Sequence, residues 1–225
     1  MKQKEANVQQ LLDLQHTLAA ELFAGCIYPW EVLPHISEFL MRTGPLLSEK
    51  EYMHPSKDVW IHRTAKVYPS AYIAGPCIIG PGTEVRHCAF IRGSALIGAD
   101  CVVGNSTEIK NSILFDHVQV PHYNYVGEAV LGYRSHMGAG SITSNVKSDK
   151  TLVIVHCEDG GIETGLKKFG AVLGDFVEIG CGSVLNPGSV IGRGTHVYPL
   201  SSVRSAVREH SIYKAEGEIV RQREA

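Results

Sequence analysis

The chain has 225 residues, of which 44% are hydrophobic and 20% are charged, and its formal net charge at pH 7 is -2. The length suits one globular domain or one domain with a small appendage, and the charge disfavours a nucleic-acid surface, which would carry a basic stripe. No apolar run is long enough to cross a bilayer, and residues 1–7 are too polar for a signal peptide. We therefore expect neither a membrane nor a nucleic acid as a partner.

The N-terminal segment, residues 1–57, is predicted to form two amphipathic helices and a linker. Apolar residues recur at helical spacing on both sides of Pro29, and Gly44-Pro45 ends the second run. Two helices of this size cannot bury a core alone. We expect them to cap the open end of the repeats that follow, where strand edges would otherwise be unpaired; an arm that docks a partner would have the same pattern. Residues 47–57 are predicted to be the linker.

From residue 61 to residue 109 an aliphatic residue recurs at every sixth position, and a small residue stands four positions after each of the first eight. A period of six fits neither a helix nor an alternating strand. It is typical of a hexapeptide β-helix, in which three hexads make a coil of about 18 residues and coils stack at about 4.8 Å. The aliphatic positions are Ile61, Val67, Ile73, Ile79, Val85, Ile91, Ile97, Val103 and Ile109, and the rhythm returns at Leu173, Ile179, Leu185, Ile191, Val197 and Val203.

The six cysteines show no CxxC pair and no zinc-like spacing. Cys77 and Cys101 occupy the small position of a hexad, where a thiol acts as a small apolar group. Reduced thiols are typical of the cytoplasm, where we expect this protein to reside.

Two hexads are one residue short. Leu114 follows Ile109 after five residues, and Leu131 follows Val126 after five. Irregularities in a regular scaffold are where function is expected, because functional sites break local rules. The segment between them contains residues 120–127 (VPHYNYVG), and the chemistry is therefore expected there.

Residues 146–170 interrupt the repeats. Residues 151–156 are predicted to be a strand, residues 159–161 (DGG) a turn, and residues 162–166 the returning strand. We expect a hairpin that projects from the solenoid and leans over a site on its own subunit or on a neighbour. The insertion carries Lys147, Lys150, Lys167 and Lys168.

Three motifs carry a resemblance to a known family. They are TEIKN (residues 107–111), VPHYNYVGE (120–128) and MGAGSITSN (137–145), in this order. They resemble the acetyltransferase half of the bifunctional enzymes that make UDP-N-acetylglucosamine. The motif KKFGA (167–171) adds a resemblance to the archaeal-type sugar-1-phosphate nucleotidyltransferase/acetyltransferase fusions. The resemblance covers residues 58–205, and the Gly-rich motif of the nucleotidyltransferase half is absent from the sequence.

The resemblance implies an all-β fold, a left-handed parallel β-helix of hexapeptide repeats that forms a homotrimer, to which the N-terminal helical cap and the inserted β-hairpin are added. It implies an acetyl-CoA-dependent N-acetyltransferase that acts on an amino-sugar phosphate such as glucosamine 1-phosphate, with the acyl donor between neighbouring subunits. A separate nucleotidyltransferase is an implied partner. The β-helix domain is expected at residues 58–205, followed by a C-terminal tail at 206–225.

The resemblance also assigns roles to residues. His122 falls on the family's catalytic base, and we predict His122 and Asn145 as the catalytic residues; an imidazole suits a base that keeps an amine unprotonated. Tyr125 falls on a tyrosine that contacts the substrate. Arg86 and Lys110 fall on phosphate binders, and a guanidinium with an ammonium makes a sensible phosphate pair. The corner positions that would line the acyl donor are Ala139, Cys181 and Pro199.

Two positions depart from the family's pattern. His136 stands where the bacterial pattern has an asparagine, and the lysine expected after Asn145 is Lys150, displaced by one position. We include His136 and Lys150 among the predicted substrate contacts, with Lys147 or Lys168 as alternatives to Lys150. These departures concern the acceptor sugar more than the reaction.

Two functions of another class remain open. Zinc-dependent carbonic anhydrases on the same solenoid bind their metal through three histidines between subunits, and this sequence offers His117, His122, His87 and His136. A third ligand is expected near Pro81, where the sequence has none, so we predict no metal site. The other alternative is a non-catalytic scaffold or regulatory β-helix protein, which would transfer an acetyl group to no amino-sugar phosphate.

Overall fold

The computed structural model describes residues 1–214 and the strand at 219–221. The predicted fold class is confirmed: the chain is a parallel β-helix of hexapeptide repeats with an N-terminal helical segment and an inserted hairpin. The α-helices are α1 (Val8–Leu11) and α2 (Ile36–Thr43), and short 3-10 helices span Gln3–Glu5, Leu14–His16, Ala20–Phe23, Pro29–His35 and Gly44–Leu46. Within the described residues, no helix is long and apolar enough to span a bilayer.

The strands are β1 (Tyr52–Ser56), β2 (Val59–His62), β3 (Lys66–Val67), β4 (Tyr72–Ile73), β5 (Cys77–Ile79), β6 (Glu84–Val85), β7 (Phe90–Ile91), β8 (Ala95–Ile97), β9 (Val102–Asn105), β10 (Glu108–Leu114), β11 (Gln119–His122), β12 (Tyr125–Leu131), β13 (His136–Met137), β14 (Ile142–Thr143), β15 (Ile154–Cys157), β16 (Gly160–Glu163), β17 (Ala171–Leu173), β18 (Glu178–Ile179), β19 (Val184–Leu185), β20 (Ser189–Ile191), β21 (His196–Val197), β22 (Ser202–Val203), β23 (Ala206–Val207), β24 (Ser211–Tyr213) and β25 (Ile219–Arg221).

Parallel pairing sorts most of these strands into the three faces of a prism. Face A consists of β2, β5, β8, the end of β10, the end of β12, β17, β20 and β23; face B consists of β3, β6, β9, β11, β13, β18, β21 and β24; face C consists of β4, β7, the start of β10, the start of β12, β14, β19 and β22. The hexad aliphatics point inward, and Ile91, Ile97, Val103 and Ile109 are fully buried. Each coil therefore buries its apolar side chains against the next one.

The two short hexads have a specific structural consequence. Where a hexad loses a residue, faces C and A are joined by one continuous strand, β10 in one coil and β12 in the next, paired from Glu108↔Tyr125 to Leu114↔Leu131. The corner between the two faces is turned by Asn111 (φ 45°) and Glu128 (φ 47°). The left-handed backbone region costs about 1–2 kcal/mol for a residue with a Cβ, so this corner is held by its surroundings.

The N-terminal segment does not lie where the sequence suggested. It covers the outer side of face A, where α2 packs on β8 and β10 and Trp30 contacts Phe169 at a ring-centroid distance of 5.5 Å. Burying an aliphatic side chain contributes about 1.5–3 kcal/mol, so six of the outward side chains of this face contribute most to the covering. These side chains, each at most 2% exposed, are Ile78, Leu96, Ile113, Val130, Val172 and Val190.

The open end of the first coil is therefore only partly protected. The expected linker contains β1, which pairs antiparallel with β2 and covers the edge of face A alone. On face B, Val67 remains 36% exposed, and an apolar groove of about 430 Å³ is lined by residues that include Met53, Ile61 and Ile73. The helices cap a face of the solenoid and not its end.

The predicted hairpin is present, with its turn one or two residues earlier than expected. Strands β15 and β16 pair antiparallel, with Cys157 opposite Gly160. The hairpin packs beside β20 and β23, and the amino group of Met1 lies 2.6 Å from the Glu158 carboxylate. It therefore rests on the N-terminal segment and the last coils, and does not lean over residues 120–127 of its own subunit. Of the expected C-terminal tail, β23 and β24 continue the ladders of faces A and B, and residues 215–218 and 222–225 lie outside the described residues.

Candidate active site

Two of the residues predicted from the family motifs contact a buried carboxylate, that of Glu128, and a third contacts one of these two. Lys110 Nζ lies 2.7 Å from Glu128 Oε1, and Asn145 Nδ2 donates hydrogen bonds to Glu128 Oε2 and to the Tyr125 hydroxyl, the latter at 3.0 Å. The Glu128 side chain is only 7% exposed. We call Lys110, Tyr125, Glu128 and Asn145 the Glu128 cluster; it lies on face C and at the corner where face C meets face A.

The short coil builds this cluster. Because Glu128 occupies the corner in the left-handed conformation, its side chain reaches Lys110 of the preceding coil and Asn145 of the following one. Gly127 is equally necessary, since a Cβ there would lie 2.5 Å from the Tyr125 hydroxyl oxygen. Without a side chain at 127, the Tyr125 ring can cross the face and place its hydroxyl beside Asn145.

Burial and charge keep Tyr125 a neutral phenol. Burial raises the pKa of Tyr125 above its usual range, and the nearby Glu128 carboxylate raises it further, while Lys110 acts in the opposite direction. The hydroxyl therefore remains a hydrogen-bond donor at neutral pH.

Arg92 adjoins the Glu128 cluster and is absent from the residues predicted above. It follows Ile91 as Lys110 follows Ile109, so the two cations stand in consecutive coils of face C. Arg92 Nη1 lies 2.8 Å from Glu108 Oε1; this hydrogen bond is the main reason why the pKa of Arg92 is raised, and Tyr125 and Glu128 contribute through their charges. Arg92 precedes Lys110 by 18 residues, the length of one regular coil, and this spacing is the feature of the sequence that could have identified Arg92.

Arg86 lies elsewhere. It follows β6 on face B, with its Nε 3.0 Å from Glu84 Oε2. By register it stands two coils below Pro121, and it makes no contact with Lys110 in the described chain. Arg86 and Lys110 therefore do not form one pair of cations.

His122 ends β11 at the corner where face B meets face C. Its ring is exposed, and no hydrogen bond or ion pair engages it among residues 1–214. Its backbone is held firmly, because the His122 amide donates to Asn124 Oδ1 at 3.1 Å and its carbonyl accepts from Gly140 at 3.0 Å. The buried Asn124 side chain donates in turn to the Gly138 carbonyl at 2.8 Å. This role of Asn124 was not predicted from the sequence.

The predicted donor-binding residues form a column with His122. Through the ladder of face B, Ala139, Cys181 and Pro199 occupy the same corner in the three following coils, and all three are exposed. The preceding glycines allow this close stacking: a Cβ on Gly138 would lie 2.7 Å from the Cys181 nitrogen, and one on Gly180 would lie 2.4 Å from the Pro199 nitrogen. We call His122, Ala139, Cys181 and Pro199 the corner column.

Two predicted substrate contacts are not part of either group. His136 lies on face B, with its Nδ1 2.8 Å from Glu178 Oε2, in an open groove of about 930 Å³. Lys150 is exposed in the loop before the hairpin. Lys168 is nearer to the cluster, because the amide of the next residue, Phe169, donates to the Asn145 carbonyl at 3.0 Å.

The histidines proposed for zinc are also dispersed. His122 is the last residue of β11 on face B, and His117 lies two residues before the start of that strand. His117 Nε2 is 3.8 Å from Asp100 Oδ2. Within the described residues, no group of three or more His, Cys, Asp or Glu side chains has a geometry that could hold a metal ion.

The family model "GMPPB C-terminal domain" matches residues 73–187, slightly more than half of the chain. "Bifunctional protein GlmU" of Methanococcus maripaludis (strain C5) is 32% identical over 195 residues, which are 86% of this chain and 47% of the relative. The "bifunctional sugar-1-phosphate nucleotidylyltransferase/acetyltransferase" of Sulfurisphaera tokodaii is 30% identical over 105 residues, 47% of this chain and 26% of the relative.

Among solved structures, PerB from Caulobacter crescentus in complex with CoA and GDP-perosamine is 17% identical, with a TM-score of 0.37; the match covers 72% of this chain and 56% of PerB. Where a curated relative matches most of this chain, the chain spans only about half of that relative's length. The resemblance expected from the three motifs is thus confirmed at the level of the family.

Proposed function

The chain belongs to the family of the GMPPB C-terminal domain, and from this premise we propose that it transfers an acetyl group from acetyl-CoA to the amine of an amino-sugar phosphate such as glucosamine 1-phosphate. One observation carries the proposal. Lys110 and Asn145, from separate motifs, both contact Glu128, and Asn145 also binds the Tyr125 hydroxyl, on the face whose edge carries the exposed His122. The printed names of the curated relatives support an acetyltransferase of this kind.

His122 is the general base of the proposed reaction. The amine nitrogen attacks the thioester carbonyl carbon, His122 accepts the proton that the nitrogen loses, and the carbonyl oxygen becomes an oxyanion. When the tetrahedral intermediate collapses, the carbon–sulfur bond breaks and the CoA thiolate takes up a proton. General-base catalysis of this type contributes about 10²- to 10⁴-fold. The free ring of His122 supports this role, because no other described side chain competes for its nitrogens.

The acyl donor lies along the corner column in this proposal. Ala139, Cys181 and Pro199 present small or flat surfaces at one corner, so an extended chain can follow them toward His122. Since the column is exposed on one subunit, a second copy would complete the groove, and we propose a homotrimer.

The acceptor lies on face C. The Tyr125 hydroxyl offers a hydrogen-bond donor to the sugar, and Asn145 offers its side-chain oxygen as an acceptor, because its two N–H groups bind Tyr125 and Glu128. Arg92, Lys110 and Lys168 supply positive charge for the phosphate. Arg92 replaces Arg86 in this role because it stands in the coil next to Lys110 on the same face. The nucleotidyltransferase that links the sugar phosphate to a nucleotide would be a separate protein.

The proposal is tested with a panel of amino-sugar phosphates and acetyl-CoA, by measuring thiol release and identifying the acetylated product. His122→Ala should lower kcat by about 10²-fold or more. The matched control is His136→Ala, because His136 is a partly exposed histidine of face B outside the cluster. Equal rates for wild type and His122→Ala would exclude His122 as the base, and a wild type that acetylates no member of the panel would favour the scaffold alternative.

A further inference from the structure

Two aromatic side chains stand exposed on face C, in the coils that precede the Glu128 cluster. Tyr72 is 62% exposed and Phe90 is 40% exposed, and their ring centroids are 5.6 Å apart. The Arg92 guanidinium carbon lies 5.8 Å from the Phe90 ring centroid. The pair contributes little to the core, both rings are partly exposed to solvent, and a cation lies over one of them.

The aromatic pair belongs to the same outward row as the cluster. Tyr72 pairs with Phe90, Phe90 with Glu108, and Glu108 with Tyr125. At about 4.8 Å per coil, Phe90 stands about 10 Å and Tyr72 about 14 Å below Tyr125. In the adjacent row, Arg92 stands in the same coil as Phe90, and Lys110, a member of the Glu128 cluster, stands in the next coil.

The cations retain binding capacity. Arg92 directs Nη1 to Glu108, and a guanidinium has five N–H donors, so further donors remain for a second anionic group. Arg92 is 45% exposed, which leaves those donors accessible. A row that runs from hydrogen-bond donors through cations to aromatic faces matches a sugar, a diphosphate and a base, in that order.

We propose that the acceptor carries a nucleoside diphosphate on its anomeric oxygen. The amino sugar lies at the Glu128 cluster, the diphosphate contacts Arg92 and Lys110, and the base stacks on Phe90 and Tyr72. This inference rests on the function proposed above and specifies its substrate class. Aromatic stacking does not require a particular base, because every base has a π face; the pair therefore favours nucleotides without choosing among them.

The first test measures binding in the absence of an acyl donor, using UDP and GDP as probes and titration calorimetry as the readout. Phe90→Ala should weaken the binding of at least one probe by about 5- to 150-fold, the range expected for the loss of one base-stacking contact. Phe176→Ala is the matched control, because Phe176 is 52% exposed on face B. Failure of wild type to bind either probe, or equal affinities of wild type and Phe90→Ala, would overturn the proposal.

The second test separates this inference from the acetyltransferase proposal. For one amino sugar, kcat/KM is measured with its 1-phosphate and with its UDP- and GDP-linked forms. The ratio of the better nucleotide-linked form to the 1-phosphate should fall about 5- to 150-fold in Phe90→Ala. An unchanged ratio refutes the nucleoside subsite and leaves the acetyltransferase intact. Nucleotide binding that depends on Phe90, with no acetyl transfer to any acceptor, supports the subsite and refutes the acetyltransferase.

Light scattering tests whether the aromatic pair instead contacts another copy of the chain. A lower mass for Phe90→Ala than for wild type would show such a contact and would overturn the proposal.

Discussion

At the scale of single residues, the site depends on the buried carboxylate of Glu128. One carboxylate oxygen accepts a hydrogen bond from the Lys110 ammonium, and the other accepts one from the Asn145 side-chain amide. Such bonds are roughly twice as strong as those between neutral groups, and an unsatisfied buried partner costs more than the bond contributes. Glu128 therefore acts as a positioning residue for the side chains that face the substrate.

Replacing Glu128 with glutamine tests this role. The amide keeps the shape but loses the charge, so Lys110 loses its ion-pair partner and Asn145 faces a weaker acceptor. We expect the free energy of unfolding to fall by about 1–3 kcal/mol, and kcat/KM to fall by about tenfold or more, since each 1.36 kcal/mol of lost transition-state stabilisation is a factor of ten. Steady-state kinetics and urea unfolding measure the two effects.

Glu178→Gln provides the matched control. Glu178 also contacts a predicted site residue, His136, at 2.8 Å, but its side chain is 49% exposed. An exposed pair contributes about 0–1 kcal/mol, so little change in stability or rate is expected. Similar losses in both variants would contradict a special role for Glu128.

The residues also show what the sequence could predict. Lys110, Tyr125 and Asn145 lie in motifs with a recognisable pattern, and the structure brings these three together. Glu128 lies in a quoted motif too, but its role arises from its place at a left-handed corner beside Lys110 and Asn145, which the motif does not reveal. Arg86 was assigned by a match of motifs alone, which does not by itself say on which face a residue lies, whereas Arg92 stands one regular coil before Lys110 on the same face.

At the scale of elements, the N-terminal segment completes the fold by covering face A. Trp30 is its central contact: it is 1% exposed, stacks on Tyr28 at a centroid distance of 4.6 Å, and packs against Phe169. Phe169 in turn follows Lys168 and donates its amide to Asn145. The packing of the segment thus supports the backbone beside the Glu128 cluster.

Trp30→Ala should lower the free energy of unfolding by about 3–5 kcal/mol, because it removes a large buried side chain and leaves a cavity. Urea unfolding followed by circular dichroism measures the loss. Ile27→Ala serves as the control from the same segment, since Ile27 is 62% exposed and a surface substitution usually changes stability by less than about 0.5 kcal/mol. A Trp30→Ala protein as stable as wild type would show that the segment is not attached in this way.

The position of this segment was encoded in the hexads themselves. In every third hexad, the residue before the inward aliphatic is also apolar, as in Ile78-Ile79, Leu96-Ile97 and Ile113-Leu114. Such a strand is apolar on both sides, which is typical of a sheet buried on both faces. The period of six predicts the solenoid, but only this second period of 18 predicts that one face is covered.

At the scale of the whole molecule, the covered face limits how copies can assemble. Face A is occupied by the chain's own N-terminal segment, so faces B and C and the corner between them remain for partner subunits. Leu200, beside the corner column, is 81% exposed and has a φ of 58°. An exposed leucine in a left-handed conformation is costly in an isolated subunit, and contact with a second copy would offset that cost.

We therefore expect Leu200→Asp to dissociate the proposed trimer and to lower activity with it, because the groove for the acyl donor would lose one wall. Size-exclusion chromatography with light scattering should give three times 24.5 kDa for wild type and a smaller mass for this variant. Leu46→Asp is the matched control, since Leu46 is also 81% exposed but belongs to the N-terminal segment on face A. The mass and activity of this variant should equal those of wild type.

A monomeric wild type would refute the trimer, and equal masses for both variants and wild type would remove Leu200 from the interface. Dissociation without loss of activity would mean that one subunit holds a complete site, which would place the donor groove on face C of the same chain as His122.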